Sequence, residues 1–246
     1  KQKTAYEIHE RLVGSEMCIR DSPWREGLVF EINEAIQNET PVFIKDEEVI
    51  SLIRRGQEYE NQTNGYFNPA IGKLVSLWGF HSEAPRKEMP DARSISKLVE
   101  AKPSMGNIKI INNILSSTNK FVKVDMGGYA KGYALDQAKN ILEQYNINNA
   151  LINIGGNILA LGMQGNKEWV VGIQDPRNPN LMASLPLKSG WSIGTSGDYQ
   201  KYFAVNKKRY SHIINPHSGY PVSNTMSVTV LIPPGDNSGE KSDVYS

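Results

Sequence analysis

Cysteine is almost missing from this chain. The one cysteine among its 246 residues, Cys18, leaves no internal disulfide framework and no cysteine-based metal cluster. It does not fix the compartment, because a protein without disulfides survives in either redox setting. A surplus of one charge is missing too: 27 Lys and Arg stand against 26 Asp and Glu, a net charge of +1. No basic run tracks a phosphate backbone, so no nucleic-acid partner is expected. No window approaches the ~20 apolar residues needed to span a bilayer. Neither GxGxxG after a strand nor GxxxxGK[ST] occurs, which removes the Rossmann and P-loop ways of holding a nucleotide. No segment repeats at a solenoid period.

What is present suits a globular protein with a sizeable core: 39% of the residues are apolar. The opening, KQKTAYEIHERLVGSEMCIRDSPW, has neither a clean helix or strand period nor the apolar h-region of a secretory signal. Its RLVGSEMCIRDS resembles translated sequencing-adapter remnants, so residues 1–24 are expected to be a non-native leader. Residues 25–246 then form the protein proper, clipped at both ends.

Periodicity supplies the elements. DEEVISLIRRGQEYENQ, residues 46–62, reads as an amphipathic helix with Val49, Leu52, Ile53 and Gly56 on one side. TNGYFNPAIGKLVSLWGF is a punctuated loop entering a short apolar helix, and ISKLVEAKP is another short helix. IKIINNILSSTNKFVKVDM reads as a hairpin, and FVKV alternates like a strand ending on Asp125. The apolar stripe of Ala134, Leu135, Ala138, Ile141 and Leu142 then marks a helix running to about Tyr145. NALINIGGNILALG gives two buried strands hinged at Gly155 and Gly156, and EWVVGIQDP gives another. LMASLPLKSGWSIGTSGDYQKYF gives two strands with a break at residues 195–197. RYSHIINPHSGYPV is a strand entering a turn, and MSVTVLIPP is a last strand. Helices early and strands late predict an α+β fold of layered sheets flanked by helices, in a single large domain.

Each polar motif has an ordinary reading. Gly127 and Gly128 make a tight turn while Asp125 caps the helix. Asn153, Gly155 and Gly156 form a bulge, Thr195, Ser196 and Gly197 a turn, and HSGYP another. His212 is then a satisfied, half-buried histidine, and Asp243 a surface acid or cap. Together the motifs support a second reading. Small-residue breaks at strand ends offer hydroxyls, amides and backbone N–H groups, which is what a pyrophosphate needs. Asp125 and Asp243 add hard oxygens of the kind Mg²⁺ prefers, and His212 adds a group able to take a proton near neutral pH.

GYFNPAIGKLVSLWGF, VDMGGYAKGYALDQ, ALINIGGNILALG, WVVGIQDP, SIGTSGDYQKYF, YSHIINPHSGYPV and SVTVLIP follow one another in order. In that succession the chain resembles the ApbE family of FAD:protein FMN transferases, formerly labelled thiamine-biosynthesis lipoproteins, over roughly residues 28–246. The resemblance implies an α+β fold that binds FAD, cleaves its pyrophosphate with Mg²⁺ and passes FMN to a threonine or serine hydroxyl of an acceptor flavoprotein, releasing AMP. Typical acceptors are redox-pump subunits. It also implies an extracytoplasmic setting, with any lipid anchor to the membrane lying outside this fragment.

Motif by motif, the resemblance assigns FAD contacts to Tyr66, Phe67, Asn68, Asp125, Lys131 and Ile214. The glycine-hinged segments add Gly155, Gly156, Thr195 and Ser196 beside the pyrophosphate. It assigns Mg²⁺ to the Gly128 carbonyl and the Asp243 carboxylate, and deprotonation of the acceptor hydroxyl to His212. The chain departs from the family pattern in places. Asn68 and Asn215 stand where acids are frequent, and Ser242 where alanine is usual. The family's Met-Gly-Thr strand and a flavin-contacting tyrosine have no counterpart. The threonine that completes the metal site would follow Ser246, so a weakened Mg²⁺ site is expected. An FAD pyrophosphatase giving FMN and AMP, a non-catalytic FAD-binding protein and a purely structural domain remain as alternatives.

Overall fold

The computed structural model describes residues 27–82, 88–178 and 180–246. Cys18 and the expected leader lie outside the described residues. Helices and sheets mix as α+β, and the residues gather into two compact units with interleaved chain. One comprises the described residues up to Met126 with Phe203–Lys208 and Ile214–Pro221; the other comprises the described residues of Gly127–Tyr202, Arg209–Ile213 and Val222–Ser246.

The first unit is mainly helical. Helix α1 (Leu28–Gln37) precedes β1 (Val42–Phe43), α2 (Glu47–Gln62), α3 (Gly72–Leu77) and α4 (Ala92–Glu100). The Asp46 side chain accepts the N–H groups of Glu48 and Val49, so α2 starts where an acid can satisfy the orphan donors of a first turn. Val49, Leu52, Ile53 and Gly56 are buried along it, as their spacing predicts. Strands β2 (Ile108–Ile111) and β3 (Ile114–Ser117) form a hairpin through Asn112 and Asn113, both in the left-handed region. With β1 they make a three-stranded sheet ordered β1-β3-β2.

FVKV is extended but is not a ladder strand. The Asn33 side chain on α1 grips it at Val124, accepting from its N–H at 2.7 Å and donating to its carbonyl at 2.9 Å. The N–H groups of Lys123 and Asp125 donate to the carbonyls of Ala70 and Pro69. One buried amide and a loop take the place of a neighbouring strand, satisfying the backbone as a sheet would. The later segments join this unit through fully buried Trp78, whose Nε1 donates to the Gly219 carbonyl at 2.7 Å. Its ring packs against Tyr220 and Phe203.

The second unit is built on an antiparallel sheet. Its elements are α5 (Ala130–Gln144), β4 (Ala150–Ile154), β5 (Asn157–Leu161), β6 (Trp169–Gln174), β7 (Leu181–Leu187), β8 (Ser192–Gly197), β11 (Ser227–Ile232) and α6 (Ser238–Val244). Strands β9 (Tyr202–Val205) and β10 (Lys208–Ser211) pair as a hairpin. The main sheet is ordered β11-β8-β5-β4, and β6 with β7 forms a separate ribbon. Ala160, Val171, Leu187 and Ile193 make a buried cluster. Of the two strands hinged at Gly155 and Gly156, β5 is buried while β4 is only half-buried, with Leu151 exposed.

The break expected at residues 195–197 does not exist. Thr195, Ser196 and Gly197 continue β8 and pair with Thr229, Val228 and Ser227 of β11. Their small size serves packing: a Cβ on Gly194 would collide with the carbonyl of Ser242 in α6. The strand is small-sided because a helix lies close on it, not because it turns.

Candidate active site

Helix α5 carries the centre of the candidate site in the second unit. It begins at Ala130 without a side-chain cap, and Asp125 is not its N-cap residue; that position is Tyr129. The capping role expected for Asp125 therefore falls away. One turn into the helix, Gly132 crosses α6 at Gly239. A Cβ on Gly132 would run into the Gly239 carbonyl, and one on Gly239 would run into the carbonyl of Gly132. Asp136 tightens the same crossing by accepting the N–H groups of Gly239 and Glu240 at 2.9 and 3.0 Å.

That crossing buries Asp243, which is neither the surface acid nor the cap of its ordinary reading. Its residue is 8% exposed. The Gly132 N–H donates to Oδ2 at 3.1 Å, and Lys131 Nζ lies 3.5 Å from Oδ1. Burial raises its pKa, opposed by Lys131, by the nearby Asn157 amide and by Gly132. Asn157 is itself buried, and its Nδ2 makes no hydrogen bond of standard geometry. Its amide dipole therefore acts on the carboxylate through space.

The turn between β4 and β5 closes on the same lysine. It is a tight hairpin with Ile154 opposite Asn157, not a bulge. Gly155 and Gly156 hold φ of 58° and 95°, the left-handed region natural to glycine. The Asn153 side chain braces the turn by accepting the Gly156 N–H at 3.0 Å. A Cβ on Gly155 would sit 3.1 Å from Lys131 Cδ.

His212 follows β10. Its backbone N–H donates to the Lys201 carbonyl, and Nδ1 lies 3.1 Å from the same oxygen. Burial lowers its pKa; the Lys201 carbonyl raises it, and the charges of Lys131 and Lys201 lower it again. The imidazole is thus biased toward neutrality at pH 7, the state in which it can accept a proton.

Lys131, Asp243, Gly155 and His212 therefore belong to one electrostatic neighbourhood. Gly128 is exposed in the turn before α5. Thr195 and Ser196 face other partners: Thr195 Oγ1 pairs with Thr229 Oγ1 and Ser196 Oγ with Ser246 Oγ, each at 3.0 Å. In the first unit, Tyr66 is exposed and edge-on to His217, with ring centres 4.7 Å apart. Phe67 is half-buried and edge-on to Tyr59. Asn68 spends its amide on the Pro103 carbonyl and the Ala70 N–H. Asp125 is half-buried, and Ile214 is buried and bridged to Pro221. Asn215 accepts the N–H groups of His217 and Ser218, making HSGYP the turn its composition predicts.

Among the described residues, no three His, Cys, Asp or Glu side chains gather as a metal cage. The donor chemistry around Asp243 instead fits Mg²⁺ of the substrate-completed kind, held by one or two carboxylates plus phosphate oxygens. A buried carboxylate that burial drives toward protonation would gain from a divalent cation.

The sequence model of the ApbE family matches residues 20–246. The chain belongs to the ApbE family. It is 34% identical over 208 residues to an FAD:protein FMN transferase of Rhodobacter capsulatus, covering 85% of this chain and 40% of that one. It is 35% identical over 212 residues to an FAD:protein FMN transferase of Klebsiella pneumoniae strain 342, covering 84% and 63%. The chain thus spans less than two thirds of the length of these relatives. Among solved structures, the ApbE protein of Thermotoga maritima matches with a TM-score of 0.89 at 31% identity, covering 100% of this chain and 79% of that one. The Pseudomonas stutzeri flavinyl transferase ApbE matches with a TM-score of 0.82 at 26% identity, covering 99% and 75%.

The ApbE motifs led to Asp243 and Lys131 but passed over Asp136, Gly132 and Asn157. Asp136 had a signal: an acid between Leu135 and Ala138, in the apolar stripe of α5, asks for a buried partner. Asn157 had none, since an asparagine after two glycines reads as turn.

Proposed function

We propose that this chain transfers FMN from FAD to a threonine or serine hydroxyl of an acceptor flavoprotein, with Mg²⁺, releasing AMP. The observation that carries this reading is the convergence of Lys131, Asp243 and the Gly155 turn in the second unit, with His212 in the field of the same lysine. Its relatives bearing the name FAD:protein FMN transferase support it.

His212 takes the proton of the acceptor hydroxyl as its oxygen attacks the FMN phosphorus in line. A P–O bond forms to the acceptor, the pyrophosphate P–O bond breaks, and AMP leaves with the bridging oxygen. Lys131 brings a cation to the developing phosphate charge. Asp243 and the Gly128 carbonyl would hold Mg²⁺, which when bound supplies charge neutralisation at the phosphates. Gly155 and Gly156 keep the nearby turn free of side chains. In the first unit, Tyr66, Phe67, Asn68, Asp125 and Ile214 are the FAD contacts that the resemblance suggests. Thr195 and Ser196 act through β8, their hydroxyls being engaged with Thr229 and Ser246.

The acceptor is of the redox-pump type and the setting extracytoplasmic on family resemblance. No helix of the described residues is long and apolar enough to cross a membrane.

Incubation with FAD, Mg²⁺ and a Thr-bearing acceptor, read by in-gel flavin fluorescence, tests the proposal. A fluorescent acceptor band is expected, and His212→Ala should keep FAD binding while losing ~10²–10⁴ in transfer. FMN and AMP without an acceptor band would make the chain a pyrophosphatase. Intact FAD retained through the incubation would make it a carrier.

A further inference from the structure

We propose that Asp198 is a positioning residue: through the Lys201 carbonyl it holds His212 in one tautomer, proton on Nδ1 and lone pair on Nε2. The functional half of this rests on His212 as the base of the transfer reaction.

The chemistry begins at the Lys201 oxygen. It accepts the backbone N–H of His212 at 3.0 Å and stands 3.1 Å from the ring Nδ1. A carbonyl oxygen can only accept, so in the neutral imidazole Nδ1 must carry the proton. Nε2 is then the basic nitrogen. This is the arrangement in which one ring nitrogen is fixed so that the other can work.

The tautomer is only as well fixed as the Lys201 carbonyl, which sits in the connection between β8 and β9. Asp198 opens that connection and ties it down from several sides. Its N–H donates to the Met226 carbonyl at 2.9 Å. Its carboxylate takes both terminal nitrogens of Arg177, each at 2.8 Å, and lies 3.7 Å from Arg209 Nη1. Arg177 is itself anchored, because Asp175 Oδ1 accepts its backbone N–H at 2.7 Å. Arg209 lies with its guanidinium carbon 4.0 Å from the ring centre of Tyr202, the residue after Lys201. It also precedes His212 by three residues along the chain. One carboxylate therefore braces the loop after β6, the strand leading to His212, and the connection that carries the carbonyl.

As a stability device this cluster would be worth little, since water and salt screen ion pairs at the surface. A bidentate Arg–carboxylate pair adds geometric specificity as well as energy, and geometry is what a general base requires.

The test is ¹⁵N NMR of the His212 ring in the chain as it stands, assigned by loss of the signal in His212→Ala. Neutral His212 should be uniformly Nδ1–H, and Asp198→Asn should convert it to a mixture containing Nε2–H. In the transfer assay the same variant should lower kcat by ~10–100-fold, by analogy with the outer partners of metal-ligating histidines. KM for FAD should stay within about twofold, and Asp198→Glu should restore most of kcat. Arg177→Gln, which loosens the brace while leaving residues 198–201 unchanged in sequence, should shift the tautomer the same way and serves if Asp198→Asn folds poorly. An Nε2–H ring in the unmodified chain, or a tautomer unmoved by either variant, overturns the proposal. The spectrum needs no turnover. Full transfer by His212→Ala would remove the base reading while leaving the tautomer result to stand.

Discussion

Lys131 Nζ stands 3.5 Å from Asp243 Oδ1, and the two partners differ sharply in exposure: the lysine side chain is 39% exposed and the carboxylate side chain 5%. The pair is lopsided. Desolvation outweighs Lys131, Asn157 and the Gly132 N–H, so the carboxyl pKa ends above its usual range. A site built only for stability would not bury an acid so poorly compensated. One that awaits a cation and phosphate oxygens has reason to.

Asp243→Asn should therefore leave the metal-free protein as stable or more so. A raised carboxyl pKa contributes stability below the unfolded value and loses it as pH rises through the folded one, so the native acid is a liability at neutral pH. The amide removes that liability, and exposed Lys131 loses little. Thermal denaturation at pH 7 without Mg²⁺ should give a Tm equal to or above that of the unmodified chain. The stabilisation on adding Mg²⁺ with FAD should disappear. A large drop in Tm with an unchanged Mg²⁺ response would contradict both halves.

His212 sets the acid side of the pH profile. Its folded pKa is depressed below 6.5, chiefly by burial, so the neutral base persists to lower pH than a free histidine would allow. Transfer should fall on acidification only below pH 6.5, and the unfolded chain, binding the proton more readily, should cost the fold stability over that same interval. Rates measured from pH 5 to 8 with saturating FAD would check this. An inflection above 6.5 would mean that a negative group reaches the imidazole.

Much of this was legible in the chain, and what was not has physical causes. Helix α2 could be read because Asp46 and four apolar residues fall at helical spacing. The hairpins could be read because Asn112–Asn113 and Gly155–Gly156 tolerate positive φ. Residues 195–197 misled because small polar residues look alike in a turn and under a close-packed helix, and only α6 on β8 distinguishes the two. The FVKV segment misled because alternation reports exposure, not a neighbouring strand, and here Asn33, ninety-one residues away, supplies the hydrogen bonds. Asp243 was found through motif resemblance, and Asp136 was not. The burial of both was not legible, since it arises from a crossing of two helices far apart in sequence.

That crossing yields the last prediction. Within a helix, Gly→Ala ordinarily stabilises by about 1 kcal/mol, because glycine loses the most backbone freedom on folding. At Gly132 the added methyl would meet the Gly239 carbonyl and stand 2.6 Å from the Glu240 Cα, both backbone atoms that cannot rotate away. Overpacking of this kind costs about 1–3 kcal/mol, so the steric term should win and Gly132→Ala should destabilise. The same shift would draw the Gly132 N–H from Asp243 Oδ2, now 3.1 Å away, so Mg²⁺ dependence should weaken along with Tm. Urea denaturation and a Mg²⁺ titration of FAD turnover on one preparation would read both effects. A stabilised variant would mean that α5 and α6 are not in the close contact on which the burial of Asp243 depends.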